Sequence, residues 1–212
     1  MRENVVKCLE NLPYFTQSNL RLFQDNHNFS FHKNIQHWLR KGLIRKLKNG
    51  VYVTEKYYLK EKNITGYQEF IANALVVPSY ISGEYVLQKY HLLTEATYPL
   101  TSITTKSTRT FENFLGTFRY STVKHDLFLG FQEVNFRKNT IRIATKAKAL
   151  FDFLYLKKNI FSSFSLKEIE ELRFNTEELT RADLRELLLY IRLSKNRKLF
   201  QFYTNLKKIL SQ

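Results

Sequence analysis

Asn49-Gly50 separates two short runs that read as strands, Leu43–Lys48 and Val51–Val53. No other dipeptide constrains the chain so tightly. A two-residue loop of type I′ needs positive φ at both positions, and Asn-Gly meets that need with little strain. The sequence therefore predicts a hairpin with Asn49-Gly50 as its turn and Leu47 facing Tyr52. Alternation in Leu43–Lys48 is imperfect, so the register stays open at this point.

The residues before the hairpin narrow the fold further. Asn4–Leu12 reads as a short helix that stops before Pro13. Thr16 can cap a second helix, Gln17–Phe23, and Ser30 a third, Phe31–Lys41, because each hydroxyl can accept a free amide hydrogen. Gly42 then suits the left-handed position that closes a helix. Within the third segment Phe31, Ile35, Trp38 and Leu39 share one apolar face. Lys33, Gln36, His37 and Arg40 lie opposite them, at about 100° per residue. Trp38 shares the apolar stripe and is expected in the core rather than as a platform for stacked bases. Three short helices followed by a two-stranded hairpin form the winged helix–turn–helix pattern, with the third helix as candidate reader of DNA.

Beyond residue 60 the pattern changes. Thr101–Thr105, Thr117–Val123, Phe128–Phe136 and Thr140–Ala144 are rich in β-branched and aromatic residues and read as strands. Arg137-Lys138-Asn139 reads as a turn between the last two. Ile71–Val77 is apolar and ends at Pro78, and Ser82 can cap a helix over Gly83–Tyr90. Thr145 can start a helix over Lys146–Tyr155. Ser165-Leu-Lys-Glu168 is a capping-box pattern, Thr180 can cap Arg181–Leu193, and a last helix is expected over Asn196–Leu210. The expected class is α+β: a winged helix–turn–helix over residues 1–60, then a mixed α/β domain over 61–212 with a helical C-terminal end.

Charge points to the class of partner. Lys and Arg number 34 against 19 Asp and Glu, a net charge of +15 over 212 residues, and the first 60 residues carry nearly half of it. Such an excess fits a polyanion, either nucleic acid or an anionic membrane. No apolar run approaches the roughly 20 residues that a spanning helix needs, and no apolar segment follows the first residues as in a secretory signal. A cytoplasmic protein with no membrane partner is expected, and nucleic acid is the favoured polyanion. An aromatic content of 15% excludes bulk disorder. A single cysteine excludes a disulfide framework, a zinc ribbon and an iron–sulfur cluster.

The charged residues can then be assigned roles. Arg40 has the reach to bond guanine at two points and Gln36 to bond adenine. Lys33 suits a base or a phosphate, and His37 a base contact or plain surface. Arg45, Lys46, Lys48 and Asn49 form a basic cluster on the expected wing, suited to phosphates or a minor groove. In the C-terminal part Lys146, Lys148, Arg192, Lys195, Arg197 and Lys198 are candidates for a second nucleic-acid surface, for RNA or DNA; a solubilising basic surface is the favoured alternative. Catalytic, metal and cofactor sites are not expected. Cys8 has no His nearby and is expected to be a buried thiol; none of the five His pairs at zinc-ligand spacing; no phosphate-binding glycine loop occurs. Asp126, Glu133 and Asp152 are isolated in sequence and are the residues that a nucleic-acid-processing enzyme, the least favoured alternative, would have to use.

The chain resembles the AbiEi-type antitoxins, transcriptional regulators of bacterial abortive-infection and type IV toxin–antitoxin systems. The resemblance covers most of the chain. It rests on Leu39-Arg-Lys-Gly-Leu-Ile44, Lys48-Asn-Gly-Val-Tyr-Val53 and Ala74-Leu-Val-Val-Pro-Ser-Tyr-Ile-Ser82. It continues through Ser102-Ile-Thr-Thr-Lys106, Phe114-Leu-Gly-Thr-Phe-Arg-Tyr120 and Ile143-Ala-Thr-Lys-Ala-Lys-Ala-Leu-Phe-Asp152. The chain departs from the family at Ala147, where an acidic residue is expected. The resemblance implies that the winged helix binds operator DNA and represses its own operon. It also implies that the larger part counters a toxin of the nucleotidyltransferase type without forming a stable complex with it. The rival reading is a stand-alone winged-helix regulator whose C-terminal domain senses a ligand or a protein.

Overall fold

The computed structural model of the protein describes residues 2–21, 31–94, 99–161 and 163–211. It begins with α1 (Arg2–Leu9), the two-residue strand β1 (Phe15–Thr16), α2 (Gln17–Arg21) and α3 (Phe31–Arg40). Helix α1 ends at Leu9 rather than at the expected Leu12. Thr16 does cap α2: its Oγ1 accepts from the Asn19 amide at 3.3 Å, while Asn19 Oδ1 accepts from the Thr16 amide at 2.8 Å. Ser30 and the end of the second expected helix lie outside the described residues. Cys8 is exposed, which corrects the expectation of a buried thiol. The short α1 turns Val6 and Leu9 inward, three residues apart, and Cys8 falls off that face.

The hairpin forms from β2 (Ile44–Lys48) and β3 (Val51–Thr54), with β1 pairing on the other side of β3 in the order β1-β3-β2. Its register differs from the expected one. Lys46 faces Tyr52 and Lys48 faces Val51, so Leu47 is the extra residue of a bulge. Gly50 has φ +78, but Asn49 does not enter the left-handed region, so the loop is not type I′. The bulge adds local twist of the kind that a type I′ turn would otherwise supply. It also re-aims the end of the strand. Ile44 and Tyr52 join a small core with Val6, Leu9, Phe15, Leu20, Ile35 and Trp38. Leu47, Val51 and Val53 point the other way, into the main core.

That main core is built around a six-stranded mixed sheet. The chain runs through α4 (Glu55–Lys60), α5 (Ile64–Leu75), β4 (Ser79–Ile81), α6 (Glu84–Lys89) and β5 (Leu100–Thr104). It continues through β6 (Arg109–Asn113), β7 (Gly116–Thr122), β8 (Phe131–Phe136) and β9 (Asn139–Ala144). The strand order is β6-β7-β5-β4-β9-β8, with β5 parallel to β7 and β4 parallel to β9. Side chains alternate across a sheet, so the register assigns the faces. Tyr120, Ser102, Ile81 and Ile143 share one face, where Tyr120 donates to the Ala72 carbonyl of α5 at 2.6 Å. Tyr80 points to the opposite face and meets α7 (Lys146–Lys157). Helices α8 (Leu166–Glu171), α9 (Arg181–Ser194) and α10 (Arg197–Ile209) complete the chain, and α9 packs on α7. The class is mixed α+β, with helices at both ends.

Capping chemistry explains most boundaries. Thr145, Ser165, Thr180 and Asn196 each accept a backbone amide at the start of their helices, and Ser165 and Thr180 complete full capping boxes. Ser82 does not cap α6. Gly83 takes that position at φ +67, because the Ser82 hydroxyl donates to Asp152 Oδ2 at 2.7 Å.

Asp152 and Lys148 form the polar centre of the main core. Both side chains are fully buried, one turn apart on α7, with Lys148 Nζ 2.7 Å from Asp152 Oδ1. Lys148 also donates to the Leu127 carbonyl at 2.8 Å, and Tyr80 donates to Asp152 Oδ2 at 3.0 Å. Burial pushes the Asp152 carboxyl above its ordinary range, against the pull of Lys148, Ser82 and Tyr80, and pushes the Lys148 ammonium down. The turn before β8 is fitted to this centre. Gly130 has φ +79, and a Cβ there would collide with the Tyr190 hydroxyl.

A buried ion pair costs most when only one partner is removed, because the other charge is left uncompensated. Lys148→Met alone should therefore destabilise the protein by about 3–5 kcal/mol. Adding Asp152→Asn removes the stranded charge and keeps an acceptor for Ser82 and Tyr80. The double variant is expected to be more stable than Lys148→Met alone in urea unfolding. A double variant whose loss equals the sum of the single losses would show that the two side chains are not coupled.

Candidate nucleic-acid interface

Helix α3 presents the sharper half of the candidate surface. Asn34, Ile35 and Trp38 are buried, which orients the helix. Lys33, Gln36 and Arg40, at positions i, i+3 and i+7, are exposed together on the opposite side. His37 is half-buried at the margin of this face, and His32 is exposed beside it. The four candidates assigned to this helix thus reduce to three outward side chains and one flanking one. No acidic residue occurs in α3, so nothing on the helix offsets the positive charge of that face.

The four wing candidates divide. Lys46 and Asn49 are exposed. Arg45 and Lys48 are turned onto the second part of the chain. Arg45 pairs with Glu55, which holds its guanidinium above the ordinary value, and its plane stacks on Tyr58 and Phe114 at 4.6 and 4.9 Å from the ring centres. Lys48 Nζ donates to the Leu75 carbonyl at 2.5 Å and lies 5.6 Å from the centre of the Phe111 ring. Burial lowers its pKa, and Arg109 and Lys106 lower it further by repulsion. The cause is the bulge at Leu47. Without the extra residue Lys48 would share the side of Lys46; with it, Lys48 faces β6.

The same contact exposes a signal absent from the sequence reading. Lys106 and Arg109 are exposed and close enough to Lys48 to act on its charge. Strand β6 packs against β2, and Asn113 donates to the Leu47 carbonyl at 2.9 Å. In sequence, Thr108-Arg-Thr-Phe-Glu-Asn113 alternates weakly and has only one apolar residue. It forms the edge strand of the large sheet, where charge is tolerated and protects against unwanted pairing. The hairpin and β6 together bring Lys48, Lys106 and Arg109 around one junction, while Lys46 lies on the other side of β2.

The C-terminal candidates do not form one surface. Lys148 is fully buried in its ion pair and is no surface residue. Lys146 donates to the Glu178 carbonyl at 2.5 Å and lies 3.5 Å from Asp183. Lys198 donates to the Phe161 carbonyl at 3.0 Å, and its Nζ is 3.4 Å from the Lys158 carbonyl. Arg192, Lys195 and Arg197 remain exposed around the α9–α10 junction. The inward lysines follow from geometry: a long side chain at a helix start or beside a loop reaches free carbonyl groups more readily than solvent-facing partners do. Asp126 and Glu133 are exposed and Asp152 is buried with Lys148, so these three carboxylates do not converge. Among the described residues no three His, Cys, Asp or Glu side chains are placed to hold a metal ion. Among them, too, no helix is long and apolar enough to cross a membrane.

Arg45 and Lys46 are neighbours with opposite assignments, which gives a direct test. Lys46→Ala should leave thermal stability unchanged and lower the salt slope of duplex binding by about one unit. Arg45→Ala should lower stability, because it removes an ion pair and two ring contacts, and should change the slope less. Salt titrations by fluorescence anisotropy, with melting curves on the same samples, separate the two. Equal slopes for both variants would mean that Arg45 leaves Tyr58 and Phe114 to meet DNA. The chain matches no family model and no curated protein.

Proposed function

We propose that the protein is a DNA-binding transcriptional repressor with an N-terminal winged helix, acting on its own operator. One observation carries this reading: Lys33, Gln36 and Arg40 project together from a helix that is locked in place by Ile35 and Trp38. Arg and Gln at adjacent turns supply two-point donors for guanine and adenine edges. Two features support it. The helix order α1-β1-α2-α3 leads into a three-stranded sheet of order β1-β3-β2, the arrangement expected of a winged helix. The net charge of +15 supplies the sequence-independent part of DNA affinity.

The reading extends to an antitoxin role through the resemblance to AbiEi-type proteins. In that role the second part of the chain counters a nucleotidyltransferase-type toxin in the cytoplasm without binding it stably. The buried pair Lys148–Asp152 lies within the segment that carries the resemblance, and its function in this reading is to hold α7 against β4. A stand-alone regulator that senses a small ligand is the second reading. It is favoured by a cleft of about 620 Å³ beside the buried Glu69, lined also by Tyr85, Lys89 and His91. Tyr85 and Lys89 both donate to Glu69 Oε1, at 2.9 and 2.6 Å.

Arg40→Ala should cost about 1–3 kcal/mol of binding on DNA from upstream of the gene, and distinctly less on a scrambled duplex. Equal losses on both would make Arg40 a phosphate contact. Absence of salt-dependent binding to any upstream segment would end the repressor reading. The antitoxin role is tested by growth. The full chain and its Arg40→Ala variant, expressed from an unrelated promoter, should both rescue cells from a toxic nucleotidyltransferase encoded by the adjacent gene. Failure of both, with soluble protein, would leave the stand-alone regulator.

A further inference from the structure

We propose that the outer face of α9 docks an acidic, amphipathic helix of another protein. Helix α9 buries Leu187, Tyr190 and Ile191 on one side. At about 100° per residue, Arg181, Arg185 and Arg192 fall along one line on the other side. Ala182, Leu189 and Leu193 fall along a second line directly beside it. The leucines are 57% and 53% exposed, and the three arginines are exposed as well. Single exposed leucines are ordinary, but two at i and i+4 beside a row of arginines form an organised strip.

The arginines are the second observation. Other cations of the C-terminal part are used internally: Lys146 on the Glu178 carbonyl, Lys148 on Asp152 and Lys198 on the Phe161 carbonyl. Among the described residues the hydrogen-bond and ion-pair partners of Arg181, Arg185 and Arg192 are none. Three unanswered guanidinium groups in one row are poised for carboxylates, which match their planar fork at two points.

Charge and shape together select the occupant. A nucleic acid answers the arginines but gives Leu189 and Leu193 nothing to pack against. A bilayer interface would call for a broader apolar face with bulkier anchors. A second copy would double the arginines on the shared face, while Glu186, the acid that helical spacing puts beside the leucines on α9, is already engaged by Thr145 and Tyr190. An acidic amphipathic helix satisfies both lines at once. Its apolar stripe covers Leu189 and Leu193, the small Ala182 permits close approach, and its carboxylates meet the arginine row.

The test uses the full chain and a fluorescein-labelled peptide longer than about 15 residues, so that it can hold a helix. Its leucines recur at helical spacing and its other positions are mainly glutamate. A control peptide has the same composition with the leucines scattered. The expected result is saturable binding of the patterned peptide, about tenfold weaker for the control. The Arg185→Glu/Arg192→Glu and Leu189→Ser/Leu193→Ser variants should each weaken binding about tenfold while leaving the melting curve unchanged. No saturable binding, equal binding of both peptides, or indifference to both variants would overturn the proposal. So would binding to phosphatidylserine vesicles or duplex DNA that is stronger than peptide binding and lost in the same variants. Self-association that Leu189→Ser abolishes would likewise overturn it in favour of a second copy. The repressor reading is separate: Arg40→Ala, which lies on α3, should not alter peptide binding, and the Leu189→Ser/Leu193→Ser variant should keep operator binding.

Discussion

Val51, Tyr52, Val53 and Thr54 are all buried, so β3 has no side turned to solvent. Tyr52 closes the small core under α1, α2 and α3, while Val51 and Val53 enter the main core. A hairpin strand normally alternates between one buried and one wet face. Here the alternation is kept, but both faces are covered. The hairpin is thus the shared wall between two hydrophobic cores. Its position is set by both, and each core loses part of its lining if the hairpin moves. Burial at both faces is worth several side chains of apolar area, at about 1.5–3 kcal/mol each. The ties across the wall are polar as well as apolar: Tyr67 donates to the Pro13 carbonyl at 2.6 Å, and Lys56 meets Glu10 at 2.5 Å.

Much of this was legible in the sequence where the signals are local. The caps Thr16, Thr145, Ser165 and Thr180 announce their helices, because a side-chain oxygen beside an apolar periodic run has few competing uses. The outward face of α3 follows from spacing alone. Some unread elements are decided by distant partners, although α4, capped locally by Thr54, is also unread. Strand β4 is three residues long and exists because β5 and β9 flank it. Strand β6 carries Arg109 and Glu112 at a sheet edge and lacks the β-branched run that marks an interior strand. Ser82 reads as a cap until Asp152, seventy residues on, claims its hydroxyl. The bulge at Leu47 leaves no mark beyond imperfect alternation, yet it decides where Lys48 points.

The same contrast governs the basic residues. Composition counts charges, but a function needs charges that face outward. Lys148 differs from Lys146 by half a helical turn, and this alone takes it from a half-covered site beside Asp183 to a fully buried one. Arg45 and Lys46 differ by one residue in a strand, and face opposite ways. Among the exposed cations three groups stand out: the face of α3, Lys106 and Arg109 beside the hairpin, and the outer row of α9. The first two lie on either side of the shared wall. The third lies on a helix that packs on α7 and belongs wholly to the main core.

This distribution bears on how the two halves can work together. In a hinged winged helix, the wing moves with its own helices and the remainder of the chain follows through a linker. Here Leu47, Lys48 and Arg45 are held by Asn113, Leu75 and Glu55, which belong to three different elements or their margins. A nucleic acid that shifted β2 would displace β6 and the end of α5 with it. The reverse path is equally direct, since a change around α5 would reach the hairpin through the Leu75 carbonyl. Coupling needs a physically continuous element whose arrangement both sites bias. β3 meets the first half of that requirement, because Val51 and Val53 line one core and Tyr52 the other.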